Sequence, residues 1–293
     1  MATEISISFD RASCRACGLC VEVCVHGKLK QPEEDAPPGV VAERDCIACG
    51  HCAAICPSGA LSHSEFGPGS IRPIAGELIP DAAQLMEALR ARRSFREFKD
   101  EPVAKEDLER VIEAARLAPS DHNSQSTSFI VVQDADTLRA LVNVTVEFLA
   151  GLSKMLRHPV KGAMARLLGG DQVRGVMELL DTFDAVVELA GQGQDIIMWD
   201  APALLVFYSS ESSRYAEASA NLAIQNAALM AQSLGLGSFY TGFLLAPSMR
   251  GFAMHDVLGL SHEDHIHGAL GLGVPRVKYK NWPSRRAANV KWM

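Results

Sequence analysis

The chain has 293 residues, of which 48% are apolar, and its 28 Lys and Arg face 35 Asp and Glu for a net charge of −7. That length suits a small domain beside one of ordinary size, and the apolar share is enough for a full core. The negative balance excludes nucleic acid or an anionic membrane surface as the main partner, and no long uncharged apolar run offers a membrane span. The opening MATEISISFD is acidic and has no apolar h-region, so no secretory signal and a cytoplasmic location are expected.

All eight cysteines lie in the first fifth of the chain, in two copies of Cys-x2-Cys-x2-Cys-x3-Cys. The first copy is Cys14, Cys17, Cys20 and Cys24; the second is Cys46, Cys49, Cys52 and Cys56, followed by Pro57. This spacing crowds three thiolates into one loop and adds a fourth from the next turn. It matches a cubane iron–sulfur cluster better than the tetrahedron of one zinc ion, and disulfides belong with small secreted domains. In two-cluster proteins of this type the fourth cysteine of each run ligates the other cluster. The expected sets are therefore Cys14, Cys17, Cys20 and Cys56 for one [4Fe-4S] cluster, and Cys46, Cys49, Cys52 and Cys24 for the second. Residues 5–63 resemble the bacterial two-cluster ferredoxins. The first run departs from that pattern, continuing Cys24-Val25-His26 without proline, which alters a turn and not a ligand.

Residues 26–45, with Pro32, Pro37, Pro38 and Gly39, read as a surface loop, and the glycines and prolines of 61–80 read as punctuation. The expected organisation is a cysteine domain over 1–65, a linker over 66–80 and a large domain over 81–293. Asp81 is the N-cap of a helix with an apolar face of Leu85, Met86 and Leu89, and it runs into Arg92-Arg93-Ser94-Phe95-Arg96. A second helix from Lys105 carries Leu108, Val111, Ile112 and Ala115 and stops at Ala118-Pro119. Phe129–Val132 predicts a buried strand. Residues 137–192 read as helix, broken at His158-Pro159 and Gly169-Gly170. Next come a strand over Ala203–Tyr208, an alanine-rich helix over Arg214–Leu234 capped by Gly235, and a strand over Ser238–Phe243. A short helix over Pro247–Leu258 and a strand over His265–Val274 complete the pattern, which implies an α/β or α+β sandwich.

Three separated pieces of the large domain resemble the FMN-dependent nitroreductase superfamily. They are Arg92-Arg93-Ser94-x-Arg96, Ala118-Pro119-Ser120-x-x-Asn123-x-Gln125, and the Gly-Val-Pro stretch with Arg285 in the tail. The likeness covers about 82–293, with 140–195 poorly matched. It implies an α+β fold in which a ferredoxin-like domain precedes a nitroreductase-like sandwich with a mostly antiparallel central sheet flanked by helices. It also implies FMN, with Arg92 and Arg285 at the phosphate and Arg93, Ser94 and Arg96 spread from phosphate to ring edge. Ser120 and Asn123 would meet the ribityl chain and ring. At Tyr240-Thr241-Gly242 the backbone would pass the flavin, with the amide of Thr241 or Gly242 directed to N5. Arginine forks suit a phosphate because they bind it bidentately and stay charged. Ser126-Thr127 stands where the family often has Pro-Trp, which leaves a smaller and more polar pocket wall.

The fusion reads as a converter. Electrons would enter two [4Fe-4S] clusters singly, collect on FMN and leave for a nitroaromatic, quinone or similar electron-poor acceptor. The resemblance implies a homodimer, for which the alanine-rich helix would provide the contact. The fused cysteine domain favours a ferredoxin or hydrogenase as donor, without excluding NAD(P)H. Two other readings stand beside it: a reductive dehalogenase or dehydrogenase on the same fold, and a redox-sensing module relaying electrons to a protein. Glu22, Glu33, Glu34, Asp35 and Glu43 would suit a basic partner or simply solvent. A metal among His255, His262, His265 and His267 is the lesser reading beside a surface turn, since no ligand spacing is present.

Overall fold

The computed structural model describes residues 5–210, 214–249 and 251–293. The chain divides into two compact units. One takes residues up to Pro80 together with His122–Ser124, and the other takes Asp81–Asp121 and Gln125–Met293. The stretch read as a linker thus groups with the first unit.

The first unit runs β1 (Ile7–Phe9), α1 (Leu19–Glu22), β2 (Leu29–Lys30), β3 (Gly39–Val40), α2 (His51–Ala54) and β4 (Leu61–His63). β1 pairs antiparallel with β4, and β2 with β3, so the expected surface loop contains a small ladder. The two halves are repeats. Each cysteine of the second run stands 32 residues after its counterpart, as α2 does after α1. Gly18 and Gly50 precede the two helices in matching left-handed conformations, each with φ of 74°. A Cβ on Gly50 would come within 2.9 Å of Phe66, whose ring therefore closes on this turn. The buried core is small: Leu29, Cys52, Ala53 and Leu61.

The second unit continues with α3 (Ala82–Ala91), α4 (Lys105–Arg116), β5 (Ser128–Val132), α5 (Ala135–Arg157), α6 (Pro159–Glu178), α7 (Leu180–Gly191), β6 (Ala203–Ser209), α8 (Ala216–Ser233), β7 (Gly237–Tyr240), α9 (Ala253–Leu258) and β8 (His265–Gly273). Its four strands form one antiparallel sheet in the order β5-β6-β8-β7. Alternate residues of β6 face opposite layers, as the two-residue period of a strand requires. Leu204 and Val206 join Leu141, Leu149, Phe183 and Val186 of α5 and α7. Ala203, Leu205 and Phe207 join Leu108 and Val111 of α4 and the alanines of α8.

Several elements differ from expectation for identifiable reasons. Ala220, Ala223, Ala227 and Ala231 are buried inside the unit, where their small side chains admit α4 and the sheet, so the alanine face is not available to a second copy. The capping box of Asp81 and Gln84 starts α3 as expected, yet Leu85, Met86 and Leu89 remain exposed. Gly170, at the expected Gly169-Gly170 break, is non-helical with φ 53° and ψ −143° and kinks α6 there. The segment from Pro247 divides into a 3-10 turn and α9. The glycines of β8 leave room for rings: a Cβ on Gly271 would lie 2.3 Å from Phe239. Among the described residues no helix is long and apolar enough to cross a membrane.

Phe207 is fully buried and meets Phe129 edge-on at 5.4 Å between ring centroids. Phe207→Ala is expected to destabilise the second unit by about 3–5 kcal/mol, read as a lower urea midpoint.

Candidate functional site

In the first unit two hollows each gather four cysteines. One is lined by Cys14, Cys17, Cys20 and Cys56; the other by Cys24, Cys46, Cys49 and Cys52. Each set takes three residues from one run and the fourth from the other. The electrostatics of the free thiols follow the same division. Burial pushes the Cys20 thiol up, and Cys56, Cys14 and Cys17 add to the effect. Burial pushes the Cys52 thiol up to about 11, with Cys49, Cys46 and Cys24 as its thiol neighbours. Partial burial acts on Cys56 in the same sense, but hydrogen bonds from the Ser58 hydroxyl and nearby N–H groups outweigh that and bring it below the ordinary thiol value. Among the described residues no three His, Cys, Asp or Glu side chains are grouped to hold a single metal ion. The thiol sets are open rings around a space.

Polar groups approach the sulfurs of the second hollow, among them the Ala53 backbone N–H at Cys52. The Lys28 N–H donates to Cys24 Sγ at 3.2 Å, and His63 Nε2 lies 3.5 Å from Cys46 Sγ. Burial lowers the pKa of His63 against a smaller opposing effect of Glu65. Sequence reasoning passed over His63. The signal was present in the 32-residue repeat, which sets His63 opposite Gln31 just after the matching Leu29 and Leu61.

In the second unit the arginine segment is held in place from both sides. Phe95 N–H donates to Ser238 O of β7 at 3.1 Å, and Ser94 bridges to Ser238. The C-terminal tail returns along the other side. Lys99 N–H donates to Val274 O, and Arg276 N–H to Glu97 O; Phe95 packs on Tyr279, and Arg90 lies 4.8 Å over Trp282. This return brings Arg285 to Arg92. Burial, then Arg285, then Arg93 pull the Arg92 guanidinium below its ordinary value. Arg93 Nη1 donates to Arg92 O at 2.8 Å, and among the described residues none of these three guanidiniums has an acidic partner. Three cations without a counter-ion would suit an anion.

The remaining predicted residues divide. Arg96 lies 5.8 Å from the Trp199 ring and 6.0 Å from Phe239. Trp199 and Asp200 both have positive φ, and the turn before them is held by Asp195 Oδ1, which accepts from Ile197 and Met198 N–H. Sequence reasoning missed this turn, whose signal was a tryptophan just ahead of Ala201-Pro202 and a buried strand. Thr241 is buried, its N–H donating to Ala269 O at 3.1 Å and its hydroxyl to Ile197 O. The exposed Gly242 N–H has no acceptor among the described residues. Tyr240 is partly exposed, and its hydroxyl donates to His267 O at 3.4 Å. Ser120 Oγ accepts from Gln125 N–H at 2.9 Å, beside a hollow of about 570 Å³ that Thr127 and Ser219 also line. Asn123 belongs to the first unit, where its amide donates to Ile47 O at 3.1 Å and Ala48 O at 3.0 Å. His122, Asn123 and Gln125 all have positive φ, a strained run of the kind that persists where surroundings over-determine it. Of the four late histidines, His255 is bonded to Asp264 O, His262 stacks on Phe252, and His267 bonds Ser209 at 2.8 Å.

Fold and cysteine spacing together define a class: an α+β sandwich that follows a ferredoxin-type cysteine unit in the chain. The chain belongs to the nitroreductase family, whose model matches residues 89–274; a 4Fe-4S dicluster domain matches residues 13–60. Among curated proteins it is 28% identical over 159 residues to "FMN reductase [NAD(P)H]" of Bacillus subtilis, covering 54% of each chain. It is 38% identical over 58 residues to "Putative NADH dehydrogenase/NAD(P)H nitroreductase" of Archaeoglobus fulgidus, covering 20% of this chain and 33% of that one. The chain thus spans about half or less of these relatives' length. Among solved structures, a nitroreductase with bound FMN from Desulfitobacterium hafniense aligns with a TM-score of 0.53 at 21% identity, over 70% of this chain and 97% of that one. Iodotyrosine deiodinase bound to FMN and 3-iodo-L-tyrosine aligns with a TM-score of 0.51 at 21% identity, over 71% and 98%. These likenesses establish the fold.

The unpaired arginines generate a direct expectation. Inorganic phosphate should raise the Tm of flavin-free protein, because it binds the folded state alone, and Arg285→Ala should abolish most of that rise in a thermal-shift titration.

Proposed function

We propose that the chain is an FMN-dependent oxidoreductase in which electrons reach two [4Fe-4S] clusters singly, gather on FMN and leave for an electron-poor organic acceptor of nitroaromatic or quinone type. The observation that carries this reading is one chain combining two four-thiol hollows with a group of three unpaired guanidiniums. When bound, the clusters supply one-electron exchange and the flavin couples it to two-electron chemistry.

The residues have separate tasks. Cys14, Cys17, Cys20 and Cys56 would hold one cluster, and Cys24, Cys46, Cys49 and Cys52 the other. Arg92 and Arg285 would grip the FMN phosphate, with Arg93 adding charge and Ser94 lining the approach. Arg96, steadied over Trp199, would face the flavin's N1–C2 edge and favour its anionic reduced form. Gly242, whose N–H is free where that of Thr241 is spent, would donate to N5. Tyr240 would flank the ring and Ser120 the ribityl chain. Asn123 drops out of the flavin set because its amide is engaged by Ile47 and Ala48 carbonyls. The expected assembly is a homodimer; Val160, Met164, Leu167 and Leu168 of α6, exposed on one helical face, support it in place of the alanines. A ferredoxin or hydrogenase suits the thiol unit as donor, and NAD(P)H is named as donor for the Bacillus relative.

Anaerobic purification should yield iron and acid-labile sulfide for two clusters plus FMN, and the reduced protein should be reoxidised rapidly by a nitroaromatic. Reduced flavin that resists every small acceptor but transfers quickly to a protein would replace this reading with a relay. Cys24→Ser should damage the cluster of the second run, visible as loss of one EPR signal with the other retained. Arg92→Ala should weaken FMN binding about ten- to a hundredfold by fluorescence titration, since it removes a hydrogen bond between charges worth about 1.5–3 kcal/mol.

A further inference from the structure

The 32-residue repeat allows the surroundings of the two thiol sets to be compared position by position. Seven places after the last cysteine of each run stand Gln31 in the first half and His63 in the second. Gln31 turns to backbone, its Nε2 donating to Ala16 O at 2.7 Å and Ala36 O at 2.9 Å. His63 turns to sulfur, with Nε2 3.5 Å from Cys46 Sγ. Its other ring nitrogen is engaged: Nδ1 accepts from the Glu65 N–H at 3.2 Å. A neutral imidazole has one donor and one acceptor nitrogen, so an accepting Nδ1 leaves the proton on Nε2, aimed at Cys46. The ring is held there. It is 5% exposed, its backbone pairs with Ile7 of β1, and its face lies against Phe66 with centroids 4.9 Å apart.

We infer that His63 is a positioning residue for electron transfer, its Nε2–H donating to Cys46 Sγ and raising the reduction potential of the cluster held by Cys24, Cys46, Cys49 and Cys52. This rests on the cluster assignment proposed above. One electron, supplied by a low-potential one-electron donor, adds one negative charge to a cluster and its thiolates; no bond forms or breaks, and His63 keeps its proton. A fixed N–H dipole directed at a thiolate sulfur stabilises the reduced form more than the oxidised one. The other set has Ser58 Oγ 3.7 Å from Cys56 Sγ, a longer contact made by a rotatable hydroxyl. The ring therefore breaks the near-symmetry of the unit. It holds an electron at its own cluster longer than the same four cysteines would without it.

The test is an anaerobic potentiometric titration of the loaded full chain, with dithionite and redox mediators, followed by EPR. His63→Leu should lower the potential of one cluster by about a tenfold change in its reduction equilibrium, about 59 mV for a one-electron couple, and leave the other unchanged. His63→Gln, which keeps an amide donor, should recover most of the difference. Two loaded clusters with unshifted potentials overturn the inference and leave the cluster assignment standing; a parent protein without iron and sulfide overturns the assignment itself. Should His63→Leu load only one cluster, pulsed EPR of the reduced parent carrying 15N-histidine decides. A nitrogen coupling absent from His63→Gln supports the bond, and identical spectra overturn it.

Discussion

The first unit depends on the exchange of one cysteine between its two runs. Neither four-thiol hollow is complete within its own run: Cys56 closes the set of the first, and Cys24 that of the second. The apolar core beneath them is only Leu29, Cys52, Ala53 and Leu61. A unit of this size has little buried surface to offset chain entropy, so clusters held in the hollows would contribute to folding as well as to function. The repeat is also what makes its exceptions informative. Equivalent turns, helices and left-handed glycines recur 32 residues apart, and against that background Gln31 and His63 differ in what they bond.

The second unit is organised around β6, which is buried on both faces and feeds two separate cores. Alanines on α8 let α4 and the sheet approach closely, and the glycines of β8 leave room for Phe239 and neighbouring rings. This rigid frame presents β7, and β7 fixes the arginine segment through Ser238. The tail then runs back along that segment, so that guanidiniums nearly two hundred residues apart share one place. Keeping like charges together without an acid costs stability in the free protein, which is the arrangement expected where a polyanionic ligand supplies the counter-charge.

Much of the fold was legible from residues. The capping box at Asp81, the stripe from Leu108 to Ala115, the buried strand at Ala203–Tyr208 and the cap at Gly235 are local patterns that need only their own neighbours. The reading faltered where a pattern has two uses. An alanine face admits any close partner, and here that partner is α4 of the same chain. An apolar stripe marks the side of a helix that can be buried without saying that it is, and on α3 Leu85, Met86 and Leu89 stay exposed.

Spacing along the chain was enough to determine the two thiol runs, the basic turn at Arg92–Arg96 and the polar stretch after Pro119, because ligand geometry and helix or strand periods act over a few residues. Hydrogen bonding decided the rest, since each donor is used once and its acceptor can come from far away in sequence. Only the folded chain shows that Thr241 N–H is spent on Ala269 while Gly242 N–H is free, and that Asn123 bonds the carbonyls at Ile47 and Ala48. It alone shows that an imidazole nitrogen of His63 reaches the second set of sulfurs where the first has an amide turned to backbone. The residue types were visible from the start, but their partners were settled by where distant segments return, which no local spacing encodes.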